Sequence, residues 1–341
     1  MKTSLPKIAV AKFDRRLALS MMGAAMLAPR ARAQAPVRIG ALFAGRVDDG
    51  GFMQAGYGGL KLAEERLGAK ISFVQGIPTQ RDELAKAMRE LAKDKPDVVI
   101  AHGGQNNDAA KIVAAELPDM RFVVTQGAVS GPNLASYEVL QELSAYLAGV
   151  LAATMTKSGV VGHLSGIKFA SSLKARAAFI NGVTDANPNV KVLTGFTGSM
   201  DDAALAKRGT IALADAGVDI LFTMLNAARG GAIEGCREKK VQQIGNVVDW
   251  TSRMPDVFIG SAIADAGLAV FSAAREILDG SFKPGIIRPI GLEDPEAVRL
   301  ALSRRVPDEI RGKMIEEALD VFSDPASVST EWKGEEFALP K

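Results

Sequence analysis

Cysteine and histidine are almost absent from this sequence of 341 residues. Cys236 is the single cysteine, and only two histidines are present. One cysteine excludes a disulfide within the chain and a metal site built from several thiolates. Two histidines leave little for any other metal site or for a Cys–His pair. We therefore expect neither a metal nor a cofactor.

The motifs of common nucleotide and acyl chemistry are also missing. The first predicted strand is not followed by Gly-x-Gly-x-x-Gly, and the chain contains neither a phosphate-loop motif nor a Gly-x-Ser-x-Gly turn. Asp48/Asp49 and Asp201/Asp202 are adjacent acids, whose side chains point apart more often than together. We expect a binding protein and not an enzyme. A ligand-sensing regulator with the same fold is a third possible class of function.

No apolar run reaches the 18 residues that a membrane-spanning helix needs, but a shorter one lies near the start of the chain. Residues 17–28 are apolar, a small-x-small site follows at 31–33 or 33–35, and basic residues precede the run. These basic residues are Lys2, Lys7, Lys12, Arg15 and Arg16. The pattern predicts a signal peptide over residues 1–33. Arg15-Arg16 is compatible with a twin-arginine signal or with an ordinary secretory one.

The charge of the chain changes when this segment is removed. Residues 34–341 contain 34 basic and 38 acidic residues, which gives a net charge of −4. A mildly acidic chain without a basic stripe is a poor nucleic-acid binder. The signal region has no cysteine to accept a lipid anchor. We expect a soluble, periplasmic monomer.

Strand and helix patterns alternate from residue 37 onward, which is typical of parallel sheets covered by helices on both faces. The predicted strands are 37–43, 70–75, 97–102, 121–125, 159–164, 190–196, 219–225, 241–247 and 256–263. The predicted helices are 54–67, 80–93, 106–117, 138–155, 169–186, 202–216, 227–240, 265–278, 294–304 and 307–319. A mature chain of this length suggests two lobes.

The two halves of the chain also resemble each other. Residues 96–110 (PDVVIAHGGQNNDAA) and 218–232 (VDILFTMLNAARGGA) share an Asp, a buried strand, a polar loop and a helix, offset by 122 residues. Such repetition indicates two similar lobes that face one another. In the first half, strand 37–43 ends in a Gly-rich loop with Phe52 at its end. Ligands of open α/β sheets bind at such strand ends, so Phe52 is either part of a ligand clamp or a hydrophobic staple of the next helix.

Several segments resemble the basic membrane protein family of ABC-transporter solute-binding proteins, the group that contains purine nucleoside receptors. Residues 48–54 (DDGGFMQ) match the family's Asn-Asp-Lys-Ser-Phe-Asn-Gln in the phenylalanine, the glutamine and the second acidic residue. Residues 133–166, which include Tyr-Leu-Ala-Gly at 146–149, match its most recognisable block. Further matches occur at 187–192, 198–202 and 244–245.

This resemblance implies a type I periplasmic-binding fold, in which two Rossmann-like lobes with parallel sheets are joined by three crossover strands. The crossings fall near 130–137, 246–251 and 283–292. The first lobe comprises 37–130 plus 252–284, the second 136–248 plus 290–323, and 324–341 forms a C-terminal tail. The implied partners are a small-molecule ligand, commonly a purine base or nucleoside, and an ABC-transporter membrane permease. A different small organic solute is the alternative ligand.

The resemblance also assigns residues to the ligand site. Phe52 falls where the family places an aromatic ring against the base, and Asp108 falls on an acidic position near the sugar. Asp249 matches an acidic residue that follows Ile-Gly in the family. Met200 replaces a common aromatic residue, and Trp250 replaces a glutamine. At Ala264 the family usually has a lysine that contacts the ligand, so a flat and less polar ligand is also compatible with this sequence.

The chemistry of the candidates fits a buried planar ligand, which needs an apolar face and a few fixed polar groups. The candidate faces are Phe52, Met53, Met200 and Trp250, and the candidate polar groups are Asp48, His102, Asn106, Asn226 and Asp249. Each has a structural alternative. Met53 and Met200 also suit a core or a staple, Asp48 and Asp249 a turn, and Asn106 a helix cap.

The predicted signal peptide generates a direct test. We expect export and cleavage near Ala33 or Ala35, because a charged segment, a short apolar run and a small-residue site follow in that order. Mass spectrometry of protein recovered from the periplasm checks this. A cytoplasmic product with an intact N-terminus would contradict it, whereas export without the twin-arginine pathway would exclude only that route.

Overall fold

Two six-stranded sheets, both built mostly from parallel strands, organise the computed structural model, which describes residues 35–340. Each sheet is covered by helices and forms one lobe, as the alternating sequence pattern predicts. The predicted signal peptide over 1–33 lies outside the described residues. None of the helices within 35–340 is long and apolar enough to cross a membrane.

The first lobe is built around the sheet with strand order β11-β5-β4-β3-β1-β2. Its strands are β1 (Arg38–Phe43), β2 (Lys70–Val74), β3 (Val98–His102), β4 (Phe122–Thr125), β5 (Leu134–Val139) and β11 (Ile287–Ile290). Its helices are α1 (Phe52–Leu67), α2 (Arg81–Lys93), α3 (Asn107–Glu116) and α8 (Ala266–Asp279). All pairs in this sheet are parallel.

The second lobe is built around the sheet with strand order β12-β10-β9-β8-β6-β7. Its strands are β6 (Val160–Ser165), β7 (Lys191–Phe196), β8 (Ile220–Met224), β9 (Gln242–Val247), β10 (Phe258–Ala264) and β12 (Val298–Leu302). Its helices are α4 (Gln141–Met155), α5 (Ala170–Ala186), α6 (Ala203–Asp215), α7 (Arg229–Lys239) and α9 (Asp308–Ser323). Central strands such as β3 and β8 are buried along their whole length, which explains their continuous apolar sequences.

The chain passes between the sheets three times, and the second passage differs from the expected one. It crosses after β5, after β10 and between β11 and β12. The second crossing therefore lies at Ala264 to Ala266 and not at 246–251. The reason is that β10 pairs in parallel with β9. The segment 252–284, which was predicted to belong to the first lobe, is therefore divided between the two lobes. Its strand belongs to the second sheet, and its helix α8 packs on α1 of the first lobe.

The helix predicted over 294–304 is wrong. Asp294 does cap a turn, because its Oδ1 accepts from the backbone N–H of Glu296 at 3.1 Å. After that turn, β12 pairs antiparallel with β10 along Val298–Leu302. The sequence VRLAL contains a β-branched start and period-two apolar positions, which suit an edge strand once a neighbouring strand is available.

The C-terminal tail is attached to the edge of the second sheet. The Phe337 N–H donates to the Thr194 carbonyl in β7 at 2.8 Å. Glu336 forms ion pairs with Arg176 and Lys168, both at 2.9 Å, and the Arg176 guanidinium stacks on the Trp332 ring at 4.5 Å. The part of the predicted tail 324–341 that the structure describes therefore covers the edge of β7, which would otherwise be unpaired.

Two glycines allow α1 and α8 to approach closely. A Cβ on Gly59 would lie 1.9 Å from the Gly267 carbonyl oxygen, and a Cβ on Gly267 would lie 2.2 Å from the Ala55 carbonyl oxygen. Neither distance is possible for a real side chain, so glycine is required at this crossing. The contact fixes α1, whose first turn begins at Phe52, against a helix that directly follows the second crossover.

Neighbouring glycines in α1 provide a matched test of this contact. We expect Gly59→Ala to lower the free energy of unfolding by about 1–3 kcal/mol, because the two helices must separate. Gly58→Ala is the control: nothing lies within 4 Å of its added Cβ, and removal of an exposed helical glycine raises stability by about 0.5–1 kcal/mol. Urea unfolding measures both. Equal effects of the two substitutions would show that α1 and α8 do not cross closely.

Candidate functional site

The two lobes contact each other through loops at the carboxyl ends of their strands. The loop after β1 contains Phe52, and the loop after β8 contains Asn226. The backbone N–H of Phe52 donates to Asn226 Oδ1 at 3.3 Å. A Cβ on Gly51 would lie 2.6 Å from the same Asn226 oxygen. Ligands of open parallel sheets bind at such strand ends, so these loops define the candidate site.

The loop after β1 is held in place by Asp49, a residue that the sequence analysis did not select. Its carboxylate accepts from the backbone N–H groups of Gly51 at 2.8 Å, Met53 at 3.1 Å and Gln54 at 3.0 Å. These are otherwise unsatisfied donors at the start of α1. The signal available in the sequence was an acidic residue a few positions before a helical pattern. Asp48 beside it is exposed and pairs with Arg46 at 2.7 Å.

Phe52 stacks on His102, which lies at the end of β3. The two ring centroids are 4.1 Å apart with an interplanar angle of 23°. His102 Nε2 lies 2.9 Å from the Phe52 carbonyl oxygen, and Nδ1 lies 2.7 Å from Thr125 Oγ1. A carbonyl oxygen only accepts, so Nε2 bears the hydrogen and Nδ1 accepts from the threonine hydroxyl. Both ring nitrogens are therefore used to hold the loop.

The surroundings of His102 favour its neutral form. The side chain has no exposed surface, and α1 passes so closely that a Cβ on Gly56 would lie 2.5 Å from the imidazole. Burial lowers the pKa of His102 to about 4, although the hydrogen bond to the Phe52 carbonyl opposes this effect. At neutral pH the ring is an uncharged support beneath Phe52.

Asn106 and Asp108 follow β3 but differ in burial. Asn106 is fully buried, and its Nδ2 donates to the carbonyls of His102 at 3.0 Å and Gly103 at 2.9 Å. Its Oδ1 is buried without a hydrogen-bond partner, and its side chain makes no cap hydrogen bond. Asp108 is exposed in the first turn of α3, where a negative charge is favourable. Met53 is half-buried and packs against the core.

Two loops of the second lobe are tied together below Asn226. The Met200 carbonyl oxygen accepts from the backbone N–H groups of Asn226 and Ala228, both at 3.1 Å. Asp201 Oδ1 accepts from the Ala227 N–H at 3.2 Å. The Met200 side chain is half-buried, and its sulfur lies beside Gly166. The ends of β7 and β8 therefore form one surface that faces the loop with Phe52.

Asp249 and Trp250 have local partners within the second lobe. Asp249 Oδ1 accepts from the N–H of Thr251 at 2.8 Å and from its hydroxyl at 2.6 Å, which is the pattern of a turn. Trp250 is 8% exposed, and its indole N–H donates to the Asn246 carbonyl at 3.1 Å. Its ring stacks on Phe258 with a centroid distance of 5.7 Å. Trp250 is thus a buried, packed side chain beneath the carboxyl ends of the strands.

Arg229 is the second residue of this region that the sequence analysis did not select. It opens α7 directly after the loop with Asn226 and is only 3% exposed. Its guanidinium stacks on Trp250 at 4.5 Å and donates to Asn246 Oδ1 at 2.6 Å. The available signal was a charged residue in the repeat segment 218–232, at the position equivalent to Asn107. Within 35–340, no group of three or more His, Cys, Asp or Glu residues is arranged to hold a metal ion.

Two facing α/β lobes whose strand-end loops meet define the class of two-lobed solute-binding proteins. The sequence model of one family, described as ABC transporter substrate-binding protein PnrA-like, matches residues 36–326. The chain belongs to this family, which is a class of substrate-binding proteins rather than of enzymes. The resemblance found in the sequence is thereby confirmed, and so is the type I periplasmic-binding fold.

Individual relatives are distant but cover most of the chain. A purine-binding protein of Brucella abortus is 24% identical over 86% of this chain and 82% of its own. A transcriptional activator protein, med, of Bacillus subtilis is 22% identical over 73% of this chain and 77% of its own. A solved solute-binding protein of an Aeropyrum pernix ABC transporter superposes with a TM-score of 0.71 at 20% identity, covering 86% of this chain and 87% of its own. The last comparison concerns the fold alone.

The buried histidines predict how stability depends on pH. Burial also lowers the pKa of His163 to about 3, so both histidines stay neutral in the folded chain when the unfolded chain already binds protons. Stability should fall as the pH drops from about 7 toward 4, by about 2 kcal/mol for each histidine at pH 5. Urea unfolding of the wild type, His102→Gln and His163→Gln at pH 7 and pH 5 measures this.

Comparison of the variants with the wild type isolates the histidines. The carboxyl groups of Asp265 and Glu142, whose pKa values are raised by burial, have the opposite pH effect and are common to all three proteins. Each variant should lose its own share of the decrease. If His102→Gln showed the same loss as the wild type, His102 would bind a proton within the folded chain.

Proposed function

We propose that this chain is the periplasmic receptor of an ABC importer, which captures a purine base or nucleoside between its lobes and delivers it to a membrane permease. The observation that supports this most directly is the junction of the lobes at an aromatic side chain. Phe52 donates its N–H to Asn226 of the second lobe while its ring rests on His102. The Brucella relative is named a purine-binding protein, which supports the ligand class.

The proposed ligand contacts come from both lobes. Phe52 supplies a ring for stacking, Met53 and Met200 supply thioether faces, and Asn226 supplies an amide at the junction. Asn106 has a buried oxygen that is free to accept from a ligand N–H. Placement of the site on rigid strand ends is typical of small-molecule sites with few polar groups.

The remaining candidates have different proposed roles. His102, Trp250 and Oδ1 of Asp249 form hydrogen bonds with neighbouring backbone or side-chain groups, so we assign these residues to positioning. Asp48 and Asp108 are exposed, and we assign them to the rim, where contact with a solute depends on how the lobes close. Ala264 is 6% exposed at the end of β10 and offers no polar group. That favours a base over a ribose-bearing ligand.

A ligand-sensing role is the second candidate function. The Bacillus relative is named a transcriptional activator protein, so the names of related chains include a function other than transport. The signal peptide predicted for this chain favours the receptor. Localisation separates the two, because a sensor that acts on cytoplasmic partners must retain its N-terminal segment inside the cell.

The ligand assignment is tested by thermal shift. We expect a purine base or nucleoside at one hundred times its Kd to stabilise the protein by about 2.7 kcal/mol, which raises the melting temperature by several degrees. Phe52→Ala should lose roughly 5- to 150-fold in affinity, since stacking of a base on an aromatic ring contributes about 1–3 kcal/mol. Amino acids and sugars serve as alternative ligands in the same screen.

Phe322→Ala is the matched control for this experiment. Phe322 is 52% exposed on α9 and lies outside the loops of the candidate site, so its removal should leave the ligand-induced shift unchanged. Absence of a shift with every purine would show that the ligand assignment is wrong. Binding by Phe52→Ala with unchanged affinity would show that Phe52 is only a staple of α1.

A further inference from the structure

The buried guanidinium of Arg229 lies directly below the junction of the lobes. The backbone N–H of Arg229 donates to the Asn226 carbonyl at 3.0 Å, and the Asn226 side chain accepts from the Phe52 N–H of the first lobe. The acceptors of the guanidinium itself lie at the ends of β8 and β9. They are Thr223 Oγ1, the Leu225 carbonyl and Asn246 Oδ1. Arg229 therefore occupies the strand ends where a solute of this fold is held.

The positive charge of Arg229 is not neutralised within the described chain. All its hydrogen-bond acceptors are uncharged, and no carboxylate of residues 35–340 lies within ion-pair distance. Asp49 of the first lobe acts on Arg229 by a coulombic interaction that raises its pKa, but the Asp49 carboxylate also accepts from three backbone N–H groups. Burial lowers the pKa of Arg229 to about 9. A buried cation without a partner costs several kcal/mol.

One nitrogen of the guanidinium has no hydrogen-bond acceptor at all. Nη1 and Nη2 make the hydrogen bonds described above, and the Trp250 ring covers a face of the guanidinium at 4.5 Å. Nε is buried and has no partner. A cation–π contact compensates part of the charge but cannot accept the Nε–H in the guanidinium plane. The site therefore has an unused, charge-bearing donor.

The surrounding backbone is strained in a way that fixes this geometry. Val247 has a φ of +69°, which is a rare conformation for a β-branched residue. The Val248 N–H donates to the Asn246 carbonyl at 2.9 Å, so the chain makes a three-residue γ-turn of the strained type. This turn presents the Asn246 amide to Arg229 and leads to Trp250. Such outliers persist where the surroundings enforce them and concentrate at ligand sites.

We propose that the solute is a planar anion, whose negatively charged edge accepts a hydrogen bond from Arg229 Nε while its ring lies against Phe52. This inference rests on the proposed function and narrows it to oxidised purines that are ionised near neutral pH, such as urate. The same chemistry is offered by an aromatic carboxylate. A charged acceptor supplies both a hydrogen-bond acceptor for Nε and a counter-charge for the guanidinium, whereas a neutral purine or nucleoside supplies an acceptor only.

Isothermal titration of the full mature chain with urate, adenine, inosine and nicotinate tests the inference. We expect the wild type to bind urate at least roughly tenfold more tightly than adenine or inosine. Arg229→Gln should weaken urate binding by roughly 10- to 100-fold and change adenine binding by less than about threefold. Arg208→Gln is the matched control, because it removes an equal charge from an exposed arginine on α6 of the same lobe. It should change neither affinity.

A second variant guards against a folding effect of Arg229→Gln. Arg229→Lys keeps the charge but removes the planar donor at Nε, so the preference for urate over adenine should decrease without reversing. Circular dichroism and the melting temperature verify that each variant is folded. Urate binding that is unaffected in a folded Arg229→Lys or Arg229→Gln protein would overturn the inference.

The outcomes separate this inference from the proposed function. Equal binding of urate and adenine in the wild type and in Arg229→Gln would overturn the planar anion and leave the purine receptor intact. Arg229-dependent binding of nicotinate without binding of urate would support the planar anion and overturn the purine assignment. Failure of all four compounds to bind would overturn both.

Discussion

The backbone of Phe52 joins the loop of the first lobe to its own sheet and to the second lobe. Its carbonyl oxygen accepts from His102, which anchors the start of α1 to the end of β3, and its N–H donates to Asn226 of the second lobe. These bonds do not involve the ring, which rests on the imidazole. The same residue therefore sets the position of the first lobe's loop and its distance from the second lobe. Because His102 is buried and neutral, this support does not change its charge across the neutral pH range.

Most elements of the fold could be predicted because they depend on local sequence. Parallel strands buried on both faces require continuous apolar residues, and β3 and β8 show this pattern directly. Where pairing depended on distant residues, prediction failed. The segment that forms β12 begins with a helix-capping aspartate, yet β10 supplies an antiparallel neighbour for Val298–Leu302. Assignment of β10 to the second lobe likewise follows from its pairing with β9, which no local pattern specifies.

The site was predicted less completely than the fold, for a related reason. The sequence located the loops, because Phe52 and Asn226 follow buried strands and carry ligand-compatible side chains. It did not distinguish residues that could contact a ligand from residues that position the loops. The hydrogen bonds of His102 and Trp250 show that both are packed like core residues. Arg229 was missed because a charged residue near a helix start usually faces solvent. Only the tertiary structure shows that it is 3% exposed and stacked on Trp250.

In the proposed receptor, the charge of Arg229 would connect ligand capture to the approach of the lobes. Well-packed apolar residues often replace buried ions without loss of stability, so packing alone gives no advantage to a guanidinium at the end of β8. The Phe52 loop contacts Asn226 next to Arg229, and exclusion of water by this contact would make the unpaired charge more costly. The proposed anion would offset this cost more in a closed arrangement than in an open one, where water would solvate the guanidinium. Since a ligand shifts a conformational equilibrium only by its differential affinity for the two states, this difference would give an anionic solute a physical means of favouring closure.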